Sequence, residues 1–304
     1  MDTNLILVDL NQVMISNLMQ QIRYSPAIRG IPDNFAASDT SLFDPELIRH
    51  MILNTLRSYR VKFHNEYGEL VICCDDKNYW RKDVFPYYKA HRKKDREESG
   101  LDWNVIFQTL NGVRDELKEY FPYKVIQIER AEADDVIAAI CWIHGNETVS
   151  YGEKILILSS DKDFVQLQKY GNVRQYSPTQ KKFINHNNPS TYIKEHIMKG
   201  DRGDGVPNFL SADDTFVLNK RQKPIRKYKL NAWVNMEPEN FCDEEMLRGY
   251  RRNEALVDLS KIPAWIHGEV NTIYENYEEN DRSLLMNYFI KNKMKGLMES
   301  MQDF

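Results

Sequence analysis

The chain has 304 residues, 42% of them hydrophobic and 28% charged, with a net charge of −4 at neutral pH, which suits one large domain or two ordinary ones with a sizeable core. That charge gives no global pull on nucleic acid, so such binding must come from basic clusters set apart from an acidic centre. No apolar stretch approaches the roughly 20 residues that cross a bilayer, and residues 1–30 lack the pattern of a signal peptide, so a cytoplasmic protein without a membrane partner is expected.

In chain order, the run 5–8 is short, continuous and apolar, as a strand covered on both faces requires, and it leads into Asp9. Residues 45–67 place Leu47, Ile48, Met51, Ile52 and Leu56 at spacings of three and four, which predicts an amphipathic helix. A second apolar strand, 70–74, runs into Asp75. A helix over 106–120, a strand over 123–128, a helix over 133–142 and a strand over 154–159 follow, the last leading to Asp161. This alternation predicts an α/β fold with a mainly parallel sheet flanked by helices, whose ligand site lies at the carboxyl ends of the strands. After about 185 the pattern turns helical, which divides the chain into 1–185 and a smaller helical domain, 186–304.

Asp9, Asp75 and Asp161 thus point at one sheet edge, and Glu132, Asp134, Asp135, Asp163, Asp201 and Asp204 join them as candidates. Read singly, each is an ordinary turn residue or helix cap. Read as a set, they form a carboxylate cage whose mutual repulsion calls for hydrogen bonds, protonation or hard divalent cations such as Mg2+.

Between Lys77 and Lys94 the sequence KNYWRKDVFPYYKAHRKK interleaves Arg81, Lys89 and Arg92 with Tyr79, Trp80, Tyr87 and Tyr88. Cations that grip phosphate and rings that stack on bases are the combination used for single strands; the alternative is a solvated helix with core aromatics. The run Lys220, Arg221, Lys223, Arg226, Lys227 and Lys229 contains no acid and suits a loop along a duplex backbone, or a plain exposed charge run. Cys73, Cys74, Cys141 and Cys242 show no metal or disulfide spacing and read as reduced residues. No serine-hydrolase elbow, P-loop or paired-histidine motif occurs.

Three segments, AEADDVIA (131–138), SSDKDFVQL (159–167) and KGDRGDGVP (199–207), resemble, in order, the motifs of the flap endonuclease or 5′-nuclease family, most closely its T-even bacteriophage ribonuclease H branch. The resemblance implies a PIN-like nuclease core, an arch insertion over about 77–100, and a helical domain that holds duplex DNA. It implies an inner metal cluster of Asp9, Asp75, Asp134 and Asp161 with Glu132 adjoining, and a second group of Asp163 and Asp204 with Asp201. Asp134 and Asp161 are the expected catalytic carboxylates, Lys89 and Arg92 the catalytic cations, and Tyr88 the base-stacking ring, with Arg81 beside them. One departure stands out: after Pro207, where the family continues with closely spaced glycines, this chain has Asn208-Phe209-Leu210-Ser211-Ala212-Asp213.

The activity implied is two-metal hydrolysis with Mg2+, for which Mn2+ could substitute, removing RNA from RNA–DNA hybrids 5′ to 3′ and cutting duplex and flapped DNA during replication. A monomer in the cytoplasm is expected, that of the host cell if the chain is phage-encoded. The alternatives are a catalytically inactive structure-specific DNA-binding protein and a PIN-type endoribonuclease. The tail 296–304 has the spacing of a helix face, either packed on its own domain or docked on a sliding clamp or single-strand-binding protein.

Overall fold

The computed structural model describes residues 4–24, 43–145 and 153–304. Its frame is a six-stranded sheet in the order β3-β2-β1-β4-β5-β6. Strands β1 (Leu5–Asp9), β2 (Glu69–Cys74), β3 (Lys124–Gln127), β4 (Ile155–Leu158) and β5 (Val173–Ser177) run parallel, and β6 (Lys182–Ile184) returns antiparallel to β5. The expected mainly parallel sheet flanked by helices is present. The register aligns Asp9 with Cys73 and Val8 with Leu158, so Asp9, Asp75 and Asp161 all fall at or just past the same edge.

The helices α1 (Leu10–Tyr24), α2 (Pro45–Tyr67), α3 (Arg81–Val84), α4 (His91–Glu98), α5 (Trp103–Tyr120) and α6 (Ala133–His144) belong to the sheet half, and α7 (Pro189–Lys199), α8 (Lys227–Trp233), α9 (Glu244–Val257), α10 (Ala264–Glu275), α11 (Ser283–Lys291) and α12 (Lys295–Met298) follow. Helix α2 begins where the Asp44 carboxylate accepts from the amides of Glu46 and Leu47, with Pro45 at the first helical position, a combination that satisfies orphan amides.

Alternation along the strands splits the core in two. Ile6, Val8, Leu70, Ile72, Leu156 and Leu158 face α1, α2 and α5, and the C-terminal residues Leu285, Tyr288, Phe289, Leu297 and Phe304 share that cluster. Leu5, Leu7, Val71, Cys73, Ile155 and Ile157 face α6, whose outer side is covered by Ile266, Val270 and Tyr274 of α10. Before these two returns to the sheet, α7, α8 and α9 enclose their own small core around Ile197, Phe209, Leu230 and Tyr250. Residues on both sides of position 185 therefore share the two sheet cores.

The apolar side of the tail packs inward. Phe304 is fully buried, with its ring 5.6 Å from Phe121 and 5.3 Å from Phe289. Three cysteines are buried, Cys242 is half-buried, and all four are free. Among the described residues no helix is long and apolar enough to cross a membrane.

Candidate active site

Four separate chain segments deliver the inner carboxylates. Asp9 closes β1, where its Oδ1 accepts from the Gln12 amide (2.9 Å) and its Oδ2 from Ser159 Oγ (3.3 Å). Asp75 follows β2; its oxygens accept from the Ala133 amide (2.8 Å) and from Asn11 Nδ2 (2.9 Å), tying it to both neighbouring segments. Asp134 lies in the first turn of α6, and Asp161 follows β4 and caps a 3-10 helix, Lys162–Lys169, through the Asp163 amide (2.9 Å).

Their electrostatics are those of a crowded acidic pocket. Burial, then repulsion from Asp75 and Asp161, raises Asp9 to about 7. Burial and Glu132 raise Asp75 to about 6, and burial and Asp163 raise Asp161 to about 6. Asp134 is pushed up by burial and then by Asp161 and Asp9. Repulsion thus links Asp9 with Asp75 and Asp161, and Asp134 with Asp9 and Asp161, and the hydrogen bonds to these carboxyls do not offset the strain.

The outer group differs from expectation. Asp163 and Asp201 come together with His196, a histidine of α7 that no sequence motif singles out, and their donor atoms lie within 4.8 Å of one another. His196 Nε2 donates to Asp163 Oδ1 (2.8 Å) and lies 3.4 Å from Asp201 Oδ2, which Lys162 Nζ also approaches at 3.0 Å. Burial opposes charge on His196, but the hydrogen bonds to Asp163 and Asp201 outweigh it and raise the ring to about 9. Burial likewise opposes ionisation of Asp201, yet His196 and Lys162 hold its carboxyl well below the usual range. Asp204 is not in this trio. It accepts instead from Tyr88 Oη (2.8 Å) and Arg92 Nη2 (2.7 Å), with Lys89 Nζ 3.6 Å away.

The first part of the basic, aromatic segment is docked rather than projecting. Lys89, in a left-handed conformation (φ 56°), donates its amide to Asp204 O (2.8 Å) and its ammonium to Glu132. Gly205, also left-handed (φ 74°), packs so closely on this segment that a Cβ there would sit 3.1 Å from His91 Nδ1. Burial raises and the cations Lys89 and Arg81 lower the Glu132 carboxyl, with the cations prevailing.

Two expectations for this segment need correction. Tyr88, expected to present a base-stacking face, is 3% exposed, because its hydroxyl is drawn inward to hydrogen-bond distance of both the Glu132 (2.9 Å) and Asp204 (2.8 Å) carboxylates. Arg81, expected to grip nucleic acid, is equally buried; its guanidinium is consumed by Asp135, Glu132 and Leu256 O. Arg92 stays partly exposed at the rim.

Lys220, Arg221, Lys223, Arg226 and Lys227 lie away from the acidic edge in sequence, and all but the half-buried Gln222 and Ile225 between them are open to solvent. Lys220 pairs with Asp214 (2.8 Å) and Lys223 lies 3.9 Å from Glu245. Side chains fix this loop. Asn208 Nδ2 donates to Lys223 O (2.8 Å), Ser211 Oγ accepts from the Lys223 amide (2.9 Å), and the Arg252 guanidinium reaches Pro207 O (2.8 Å) and Asn208 O (3.2 Å).

Comparison with known proteins matches residues 44–197 to the 5′-3′ exonuclease N-terminal resolvase-like domain and residues 188–304 to the T4 RNase H C-terminal domain. The chain is 35% identical over 295 residues to the ribonuclease H of Enterobacteria phage T4, covering 93% of each protein. It shares its fold with the bacteriophage T5 D15 flap endonuclease in a pseudo-enzyme-product complex with DNA and metal ions (TM-score 0.55, 15% identity, 90% of this chain and 98% of that one). The T5 D15 protein co-crystallised with metal ions gives a TM-score of 0.53 at 17% identity, over 90% of this chain and all of that one.

Proposed function

We propose, from the premise that this chain belongs to the 5′-3′ exonuclease family in its T4 RNase H branch, that it is a Mg2+-dependent 5′ to 3′ nuclease that removes RNA from RNA–DNA hybrids and cuts flapped DNA. The observation that carries the reading is the convergence of Asp9, Asp75, Asp134 and Asp161, each with its carboxyl pushed upward by burial and by its neighbours. An all-oxygen donor set of this kind fits a hard divalent cation, which relieves the repulsion the fold imposes. Asp9, Asp75, Asp134 and Asp161 would hold one ion, and Asp163 with Asp201 the second. What the ions supply when bound is a water of lowered pKa and charge stabilisation at the leaving oxygen.

The protein's own groups do the rest. Lys89 and Arg92 sit beside the pocket with their charges held by Glu132 and Asp204. A scissile phosphate entering there gains two preorganised cations as its negative charge grows. The exposed run from Lys220 to Lys227 contacts phosphates of the duplex and gives affinity without sequence reading. Removal of lagging-strand primers is the replication step that this substrate range suits.

The test is cleavage of 5′-labelled hybrid, nicked and flapped duplexes with Mg2+, with and without chelator. Shortening from the 5′ side that chelator abolishes supports the reading. Binding of all three without cleavage would instead identify an inactive structure-specific DNA-binding protein, and cleavage confined to single-stranded RNA a PIN-type endoribonuclease.

A further inference from the structure

Among the described residues, the group that could hold a metal ion contains an imidazole beside its two carboxylates. His196 lies in the last turn of α7 and is 7% exposed, and Gly200, in a left-handed conformation (φ 69°), ends the helix so that Asp201 turns back beneath the ring. The 3-10 helix Lys162–Lys169 packs against α7 and brings Asp163 to the same nitrogen. Asp201 is aimed by its own backbone: its Oδ1 accepts from the amides of Gly203 (2.7 Å) and Asp204 (3.3 Å), which leaves Oδ2 facing Nε2.

We propose that His196 is a cation ligand, completing with Asp163 and Asp201 a one-nitrogen, two-carboxylate site that favours a first-row transition ion such as Mn2+ over Mg2+. The inference rests on the metal-dependent reading above and deepens it by assigning the second position a different selectivity from the first. Nε2 and one oxygen from each carboxylate lie mutually within 4.8 Å, a spread that three ligands about one ion can span with small side-chain movement. Imidazole nitrogen binds transition ions well and Mg2+ poorly, whereas carboxylate oxygens alone discriminate little. A bound cation would take the place of the direct contacts that Nε2 now makes with Asp163 (2.8 Å) and Asp201 (3.4 Å). The inner set offers only oxygen donors and carries no such bias.

The experiment uses the full chain loaded with Mn2+. Electron spin echo envelope modulation should detect nitrogen-14 coupled to a bound ion in the wild type. The coupling should vanish in His196→Gln, whose amide can still donate to Asp163. Titration followed by the free-Mn2+ signal should show one site weakened at least tenfold in the variant, with Mg2+ displacing it more readily. Bound Mn2+ without nitrogen coupling in the wild type, or coupling that survives in His196→Gln, would overturn the assignment of His196 and leave the carboxylate reading intact. No Mn2+ binding at all would overturn both.

Discussion

Arg81 and Asp135 meet in a bidentate pair, Nη2 to Oδ1 at 2.7 Å and Nη1 to Oδ2 at 2.9 Å, with neither side chain appreciably exposed. Nη1 also reaches Glu132 (2.8 Å), and Trp80 Nε1 donates to Asp135 Oδ2 (3.0 Å), so one buried network fixes the start of α6 beside the acidic pocket. Breaking such a pair strands a buried charge, at about 3–5 kcal/mol. Arg81→Met should therefore lower stability by about that much in denaturant titrations, while DNA affinity of the folded fraction keeps its salt dependence. A shallower salt slope would restore Arg81 to the nucleic-acid surface.

Asp161 is expected to trade stability for chemistry. Asp161→Asn removes one charge from a group whose members raise one another's carboxyls. It should lower the cleavage rate by on the order of 100-fold or more while leaving DNA binding in place. Without divalent ions the variant should also melt higher than the parent, because the repulsion it relieves is a cost of the fold. Lys89→Ala should slow cleavage comparably with less effect on metal affinity. Undiminished cleavage by Asp161→Asn would remove it from the catalytic set.

Stability in chelator should fall as pH rises. Asp9, Asp75 and Asp161 hold carboxyl values of about 7, 6 and 6 against an ordinary 3.8. The unfolded chain therefore gives up these protons first, and the stability present below about pH 4 is lost as pH climbs through 6 to 7. His196, raised to about 9, acts in the same direction above its ordinary 6.5. Calorimetry in chelator should give a Tm at pH 8 lower than at pH 5 by roughly 5 °C or more, and divalent ions should raise Tm more at pH 8 than at pH 5. The opposite pH trend would mean the carboxyls are not strained.

The exposed basic run should govern affinity rather than rate. Arg221→Ala with Arg226→Ala removes two exposed cations without touching the Asn208 and Ser211 bonds that hold the loop. Duplex affinity should drop and the slope of log affinity against log salt should shrink by about 2, one for each cation withdrawn from a phosphate. The cleavage rate at saturating substrate should stay the same. An unchanged salt slope would leave the run a plain solvated surface.

Strand ends that terminate in aspartate were legible because the runs 5–8, 70–74 and 155–158 are apolar on both faces, as only interior parallel strands are. Strands β5 and β6 were not, since Arg174, Gln175, Lys182 and the serine at 177 interrupt any apolar run and their pairing depends on β4. Helix α1 follows Asp9 with no intervening turn, so it has no separate start signal. Asp9, Asp75 and Asp161 were readable as strand-end residues of one sheet edge, whereas Asp134 lies in the first turn of α6 and carries no such positional signal. The fates of Tyr88 and Arg81 were not readable, because local sequence places them among cations and rings, whereas Glu132, Asp135 and Asp204, more than 40 residues away, draw them inward. His196 gave no local signal either; only the packing of α7 on the 3-10 helix brings it to Asp163.

Distant packing also holds the tail. Phe304 is sealed against Phe121 and Phe289, and Asp303 accepts from Arg57 Nη1 at 2.5 Å, so the last residues close the core on the α2 and α5 side. Truncating a buried phenylalanine typically costs about 3–5 kcal/mol. Phe304→Ala should lower the unfolding free energy by that order, seen as an earlier midpoint in denaturant. Deletion of residues 298–304 should go further and yield protein that melts well below the parent. A deletion that leaves Tm unchanged yet lowers processivity with accessory proteins would mean the tail serves a partner and the packing contributes little.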